Sequence, residues 1–421
     1  MGLGSSGTGA EAAKYYLKHG HEVHILRSTN DSGTEELETL GAVFVTREEA
    51  VKMAGEADLV VKLPGVPLPY EVKRKARKIT NDLAVLLEHP DTERMTRIMI
   101  LGGKGKTMTA SALSHALGQL GVRNAFSEGV GFSAFHLLSA IESGVKFNVI
   151  ILEMSKWHIR DTDEILGHKW PRIDLLGITD NLQLSVFPSD MSPEGLLVSG
   201  PWTQQVVLSK KLRKRLLFSG LVKKDKLQAF PSRSNPFKGV GGQELAWELL
   251  RALGYKKKAI QDCFKNYHGV PNRMELVLVK DGISFINDSA SVLPMSVPFS
   301  MQSLSTPYVH VIAGGDDKSK SDLDDMAASL QKAISVTLLQ GSLTEKLIPL
   351  LRREGTAFSG PFKSMDEAVS ASYQAAVKHR GERDIAEFIL LSPGAYAGAQ
   401  WANEFARGHA FSQAVRQLFS L

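Results

Sequence analysis

Ile98-Met-Ile-Leu-Gly-Gly-Lys-Gly-Lys-Thr-Met-Thr109 runs from an apolar strand through a glycine-rich turn into a helix, and it fixes the reading of the chain around it. Gly102, Gly103 and Gly105 leave backbone N–H groups free to converge on an anion, and the helix that follows adds the positive end of its dipole. Lys106 is placed to reach the β/γ-phosphates of a nucleotide, and the Thr107 hydroxyl to ligate the Mg²⁺ that accompanies them. A glycine-rich turn beside a surface lysine is the plainer alternative. The order of strand, Gly-Lys-Thr and helix is nevertheless the one phosphate binding requires. The spacing is a variant, because a strict GxxxxGK[ST] loop needs glycine where Ile100 stands.

Outward from this loop, 421 residues are enough for two to four domains. A hydrophobic content of 43% and a charged content of 23% are those of an ordinary globular protein. No apolar run approaches the ~20 residues of a membrane span, and no signal peptide opens the sequence. The single cysteine, Cys263, excludes an internal disulfide and a cysteine-based zinc site, which fits a cytoplasmic location. Much of the net charge of +5 sits between Lys210 and Lys226. Without interleaved aromatics this reads as a solvated basic face, and no nucleic-acid partner is expected.

The chain opens on a GxGxxG turn (Gly2, Gly4, Gly7), an amphipathic helix and a strand, His21 to Leu26. A dinucleotide site would want an acidic residue after that strand; Arg27 stands there and disfavours NAD. The turn also lacks the strand that normally precedes it, with only Met1 ahead of it. Ala57 to Lys62 reads as a further strand, stopped by the prolines of Leu63-Pro-Gly-Val-Pro-Leu-Pro69. Phe147 to Glu153 and Asp174 to Asp180 are near-continuous apolar runs, suited to a parallel sheet covered on both faces, with Glu153 displayed at a carboxyl end. A strand is expected at Gln205–Leu208 and helices over 243–253 and 256–264. Turn chemistry at His268-Gly-Val-Pro-Asn-Arg273 marks a boundary. Beyond it, Asp281-Gly282 between two short strands signals a hairpin, and strands then alternate with helices, one of them over 322–335. The expected architecture is α/β in three domains: a Rossmann-like domain over 1–93, a central P-loop ATPase-type domain over 94–268, and a Rossmann-like doubly wound domain over 269–421.

Four motifs sit where strands hand over to turns, Asn272-Arg-Met-Glu275, Asn287-Asp-Ser-Ala290, Gly314-Gly-Asp-Asp-Lys-Ser319 and Leu391-Ser-Pro-Gly394, and Glu153-Met-Ser-Lys156 and the terminal Arg407-Gly-x-x-Phe411 accompany them. Together with Gly102–Thr107, in this order and spacing, they resemble the Mur ligase family over the whole chain, and within it the branch that adds D-glutamate. The resemblance implies an ATP-dependent amide-bond ligase of peptidoglycan precursor synthesis. ATP would phosphorylate the carboxylate of UDP-MurNAc-L-Ala, and the amine of D-glutamate would attack the acyl phosphate. It also implies roles. Lys106, Glu153 and Lys318 are the catalytic candidates, with Mg²⁺ on Thr107 and Glu153. Gly102, Gly103, Gly105, Lys106, Thr107, Arg273 and Asp288 would hold ATP. Gly4, Ser5 and Ser6 would hold the uridine nucleotide, and Lys318 and Ser392 the carboxylates of the amino acid. The site would assemble by domain closure, in a monomer acting on small molecules.

The sequence departs from the family in places. Ile178-Thr-Asp-Asn-Leu-Gln183 lacks the family's histidine for a second metal, and no lysine occurs between Lys169 and Lys210 to be carboxylated as a bridge. Gly239-Val-Gly-Gly-Gln243, Gly129-Val-Gly131 and Ala290 replace further family residues. These losses leave open a second reading, a relative that binds nucleotide without ligation.

Overall fold

A computed structural model describes residues 8–27, 34–63, 66–102, 105–127, 133–179, 203–208, 227–228, 242–265, 267, 269–304, 306–317, 322–381, 385–398 and 400–420. The chain divides into two compact units, Met1–Tyr267 and His268–Leu421.

Unit 1 begins with α1 (Thr8–Lys18), β1 (His24–Leu26), α2 (Thr34–Thr39), β2 (Val43–Val45), α3 (Arg47–Met53), β3 (Val60–Val61), α4 (Tyr70–Lys75), β4 (Ile79–Thr80), α5 (Asp82–Glu88) and α6 (Pro90–Glu93). The strands form two separate parallel pairs, β1 with β2 and β3 with β4. A cavity of ≈ 590 Å³ is lined by β1, β3 and the α1 residues Ala12, Ala13 and Tyr16.

There follow β5 (Thr96–Leu101), α7 (Lys106–Gln119), β6 (Asn124–Ser127), α8 (Ala134–Glu142), β7 (Val149–Glu153), α9 (Lys156–Ile165), β8 (Ile173–Ile178), β9 (Thr203–Leu208), β10 (Leu227–Gln228), α10 (Gln243–Ala252) and α11 (Lys257–Cys263). The six strands make one parallel sheet in the order β10-β9-β8-β5-β7-β6. Both faces are covered, which is why the strands read as unbroken apolar runs. Along β5, Met99 and Leu101 pack with Leu83, Leu86, Phe135 and Leu138, while Ile98 and Ile100 pack with Leu113, Leu117, Trp247 and Leu249. The expected strand at Gln205–Leu208 is the body of β9.

One buried cation fastens the helices before β5 to the sheet. Arg97, 2% exposed, donates from Nε to Thr92 O (3.1 Å), from Nη2 to Leu87 O (3.0 Å) and Thr92 Oγ1 (2.9 Å), and from Nη1 to Arg172 O (3.3 Å). It thereby satisfies carbonyls at the α5 and α6 ends that burial would otherwise leave unpaired.

Unit 2 contains β11 (Glu275–Lys280), β12 (Ile283–Asn287), α12 (Ser296–Ser303), β13 (Val309–Gly314), α13 (Asp324–Leu330), β14 (Ser335–Leu339), α14 (Ser342–Arg353), β15 (Phe358–Phe362), α15 (Met365–Arg380), β16 (Glu387–Leu391) and α16 (Glu404–Leu418). Its sheet runs β11-β12-β16-β13-β14-β15, parallel except for the β11–β12 hairpin. Asp281 (φ 51°) and Gly282 (φ 74°) both lie left-handed, as the two-residue hairpin turn demands. The helix expected over 322–335 is shorter at Asp324–Leu330, because Ser335 already pairs with His310 in the sheet. Here too the two faces are separately packed: Val309, Val311 and Ala313 with Leu343 and Leu347, Ile389 and Leu391 with Val369 and Phe411. Among the described residues, no helix is long and apolar enough to cross a membrane.

Arg97→Met removes donors from three carbonyls, two of them buried, and should lower the unfolding free energy by about 2–4 kcal/mol in a denaturant melt. Arg97→Lys should recover little of it, since a compact ammonium does not span the acceptors that the planar fork reaches. A loss below about 0.5 kcal/mol for Arg97→Met would show that the fork adds nothing to the packing around it.

Candidate active site

β5 and β7 are neighbours, and the register places Ile100 beside Glu153, so the turn after β5 and the carboxylate ending β7 share the carboxyl edge of the sheet. The Thr107 hydroxyl, in the first turn of α7, donates to Glu153 Oε2 at 2.7 Å. Two oxygen donors of the kind a hard divalent cation prefers are thus joined across 46 residues of sequence. Lys106 opens α7 and folds back over the turn, its Nζ donating to Gly102 O at 2.9 Å.

The turn has little room for side chains. Gly102 has φ +137°, and a Cβ there would lie 1.8 Å from Thr179 Oγ1. Gly105, also left-handed at φ 93°, is the N-cap of α7 and supplies no side-chain cap to its first N–H groups. Thr179 follows β8 and is held by its own N–H to Leu101 O at 2.9 Å. Its buried Oγ1 has no hydrogen-bond partner among the described residues. A glycine-floored turn, uncapped N–H groups, a lysine, a hydroxyl–carboxylate pair and an orphaned threonine oxygen therefore converge. This donor set fits a nucleotide phosphate and its Mg²⁺.

Ser155, expected from the motif that begins at Glu153, is the N-cap of α9. Its Oγ accepts from His158 N (3.2 Å) and lies 2.9 Å from His158 Nδ1. It therefore fixes where α9 starts relative to Glu153.

In unit 2 the predicted residues gather at the carboxyl ends of β12, β13 and β16. Asn287 Nδ2 donates to Asn272 Oδ1 (3.0 Å) and to Gly408 O (3.1 Å), and Asn272 N donates to Glu275 Oε2 (2.8 Å). Asp288, 2% exposed, accepts from Met274 N (3.2 Å) and from the hydroxyls of Ser291, Ser300 and Ser392, the last at 3.3 Å. The structure thus brings Asp288 and Ser392 together, both buried and engaged in the fold of the unit. Arg273 is half-buried, and its guanidinium makes no hydrogen bond or ion pair among the described residues. In the loop after β13, Asp316 Oδ1 accepts from Ser342 N at 2.8 Å, anchoring the start of α14. Gly4, Ser5, Ser6, Gly103 and Lys318 lie outside the described residues, as do Gly129–Gly131, Asn181–Gln183 and the Lys210–Lys226 segment.

Two residues of these networks lie in quoted motifs without an assigned role. Thr179 is buried beside Gly102, and only the Thr-Asp pair that ends its strand signals it. Arg407 is fully buried and donates from Nε to Ser289 Oγ (3.0 Å), from Nη1 to Ala395 O (2.9 Å) and from Nη2 to Ser289 O (2.8 Å). It ties α16 to the turns after β12 and β16. Burial pushes its guanidinium down to about 10, which leaves it charged at neutral pH.

No family model matches the chain. Among curated proteins it is 25% identical, over an alignment of 428 positions covering 91% of this chain and 89% of the relative, to the UDP-N-acetylmuramoylalanine–D-glutamate ligase of Caldanaerobacter subterraneus subsp. tengcongensis. The ligase of the same name from Treponema pallidum is 34% identical over 191 residues, which span 45% of this chain but only 31% of that protein. Among solved structures, the UDP-N-acetylmuramate–alanine ligase MurC of Thermotoga maritima superposes with a TM-score of 0.56 at 17% identity, covering 100% of this chain and 98% of that one. That likeness establishes the shared multidomain α/β fold. Over nearly its whole length the chain is similar in sequence to D-glutamate-adding ligases of the Mur ligase family.

Proposed function

We propose that this protein is an ATP-dependent ligase of peptidoglycan precursor synthesis that joins D-glutamate to UDP-MurNAc-L-Ala through an acyl phosphate. The observation that carries the reading is the Thr107–Glu153 hydrogen bond of 2.7 Å beside the left-handed glycines of the β5–α7 turn. It supports the reading because a metal-type oxygen pair stands at the start of the helix whose N–H groups would hold the phosphates.

The reaction has two displacements. A carboxylate oxygen of UDP-MurNAc-L-Ala attacks the γ-phosphorus and ADP leaves; the amine of D-glutamate then attacks the acyl carbon, losing a proton as inorganic phosphate departs. The first step moves negative charge between crowded oxygens, so its barrier falls when fixed cations lie beside them. Lys106 supplies one such charge. Mg²⁺, held by Thr107 and Glu153, would supply another. The backbone N–H groups of the turn and of the first turn of α7 hold the phosphates in place.

The remaining assignments belong to the same proposal. The uridine nucleotide is held by the first 93 residues, around Gly4, Ser5 and Ser6. Arg273 is a unit 2 cation for an ATP phosphate and Lys318 takes the carboxylate of the amino acid, whereas the buried Ser392, donating to Asp288, holds the turn after β16. Asp288 acts by holding the turns after β12 and β16 together. The protein works in the cytoplasm, as a monomer, where ATP and the UDP-sugar are found. A second reading is favoured by one feature, the absence of histidine after Asp180: binding of nucleotide without ligation.

Purified protein given Mg²⁺-ATP, UDP-MurNAc-L-Ala and D-glutamate should release ADP, phosphate and the dipeptidyl product in equal amounts, with L-glutamate as the control for stereochemistry. ATP binding by calorimetry without product would support the second reading, and neither binding nor product would remove both. Lys106→Ala should lower turnover by about 10²- to 10³-fold, the usual loss of one transition-state charge partner. Gly102→Ala forces a Cβ against Thr179 at a left-handed φ. Where the free turn relaxes to relieve it, a strain of about 1–3 kcal/mol is met again on binding, so ATP binding should weaken by about 5- to 150-fold with the melt of the free protein little changed. Unaltered ATP affinity in Gly102→Ala would show that the phosphates bind elsewhere.

A further inference from the structure

At the amino ends of β13 and β16, opposite the motif-bearing edge, lie three side chains that the ligase reading does not use. His310 sits on β13, Glu387 opens β16, and His379 is in the last turn of α15. His310 Nε2 is 2.6 Å from Glu387 Oε2, and His379 Nδ1 is 2.7 Å from Glu387 Oε1. One ligand atom from each residue lies within 4.8 Å of the other two. His310 and Glu387 are fully buried, whereas the His379 side chain is 27% exposed.

We propose that His310, His379 and Glu387 form a binding site for a divalent transition metal of the zinc class, separate from the nucleotide site. The case rests on charge and donor chemistry. Burying a carboxylate costs several kcal/mol unless a positive charge accompanies it. Among the described residues, the ion-pair partners of Glu387 are the two histidines, and no lysine or arginine pairs with it. A divalent cation taking the place of the shared protons supplies that charge at the same three atoms.

Two imidazole nitrogens and one carboxylate oxygen suit Zn²⁺, whose three-ligand sites leave a position for water, and do not suit Mg²⁺, which takes oxygen ligands. The surroundings are those of a built site. Ser335, directly opposite His310 in the β13–β14 register, lies 2.8 Å from His310 Nδ1, the contact that orients a ligating imidazole. His379 stands at the carboxyl end of a 16-residue helix, where the dipole favours a cation. Metal bonds of about 2.0–2.2 Å require the donors to spread slightly from their hydrogen-bonded spacing. The exposed His379, in a terminal helical turn, is the ligand free to make that adjustment and the side from which a metal enters. At about 3.3 Å per residue, His310 lies about 13 Å along β13 from Gly314, so occupation leaves the motif-bearing turns untouched.

The test is zinc titration of the full chain after EDTA stripping, by calorimetry and thermal melting, beside His379→Ala. Twelve histidines and one cysteine give the chain other weak zinc contacts, so the difference between the proteins is the readout. Wild type should bind one more equivalent of Zn²⁺ than the variant, and Zn²⁺ should raise its melting temperature more. Equal stoichiometry and equal stabilisation would overturn the site. A measurement on wild type alone guards against a variant that fails to fold: Zn²⁺ on Nδ1 leaves His379 Nε2 protonated, so zinc, but not Mg²⁺, should suppress modification of His379 by diethyl pyrocarbonate in peptide mapping. Equal modification with and without zinc would also overturn it.

Discussion

A parallel sheet covered on both faces has nowhere to put polar chemistry except the ends of its strands. The constraint governs both units. In unit 1, Ile98 through Leu101 are buried on alternating sides, and the first positions free of that packing are the glycines of the following turn. Glu153 ends β7 under the same rule and is therefore delivered to the same edge as Lys106 and Thr107. The convergence of residues 46 positions apart is a consequence of register. It needs no long-range design beyond strand order.

Unit 2 meets the same constraint with a closed polar network. Asn287, Asp288 and Ser289 end β12; Ser392 ends β16; Arg407 reaches in from α16. Every side chain in this group has partners, which is the condition for burying it. Arg407 is central because one guanidinium serves a hydroxyl and two carbonyls in two turns, a task suited to a planar fork with five donors.

Strands such as β5, β7 and β8, the hairpin at Asp281-Gly282 and the glycine-rich turn after β5 were legible in the sequence because each rests on local chemistry: apolar runs, a left-handed pair of turn residues, glycines before a lysine. The separation of the first four strands into two pairs was not, since pairing depends on which strand edges meet. Nor was the burial of Asp288 and Ser392. A motif records that residues occur together, not whether they face a ligand or one another. Thr179 was read without a role for a related reason, because its approach to Gly102 joins two strand ends 77 residues apart and leaves no periodicity to read. His310 and Glu387 look, one residue at a time, like polar interruptions of strands; only the β13–β16 pairing makes them neighbours.

The two ends of the unit 2 sheet solve the problem of buried polar groups with different cations, and the difference decides what each end can do. At the carboxyl edge the charge is a guanidinium, still protonated at neutral pH even with its affinity for the proton lowered by burial. Such a charge is permanent and fixes geometry. At the amino edge the groups facing Glu387 are imidazole donors, and the positive charge there would be an exchangeable metal ion. A permanent cation suits the edge where turns must keep their shape around a reaction. An exchangeable one suits a place where occupancy itself is variable, and the sheet separates the two by the length of its strands.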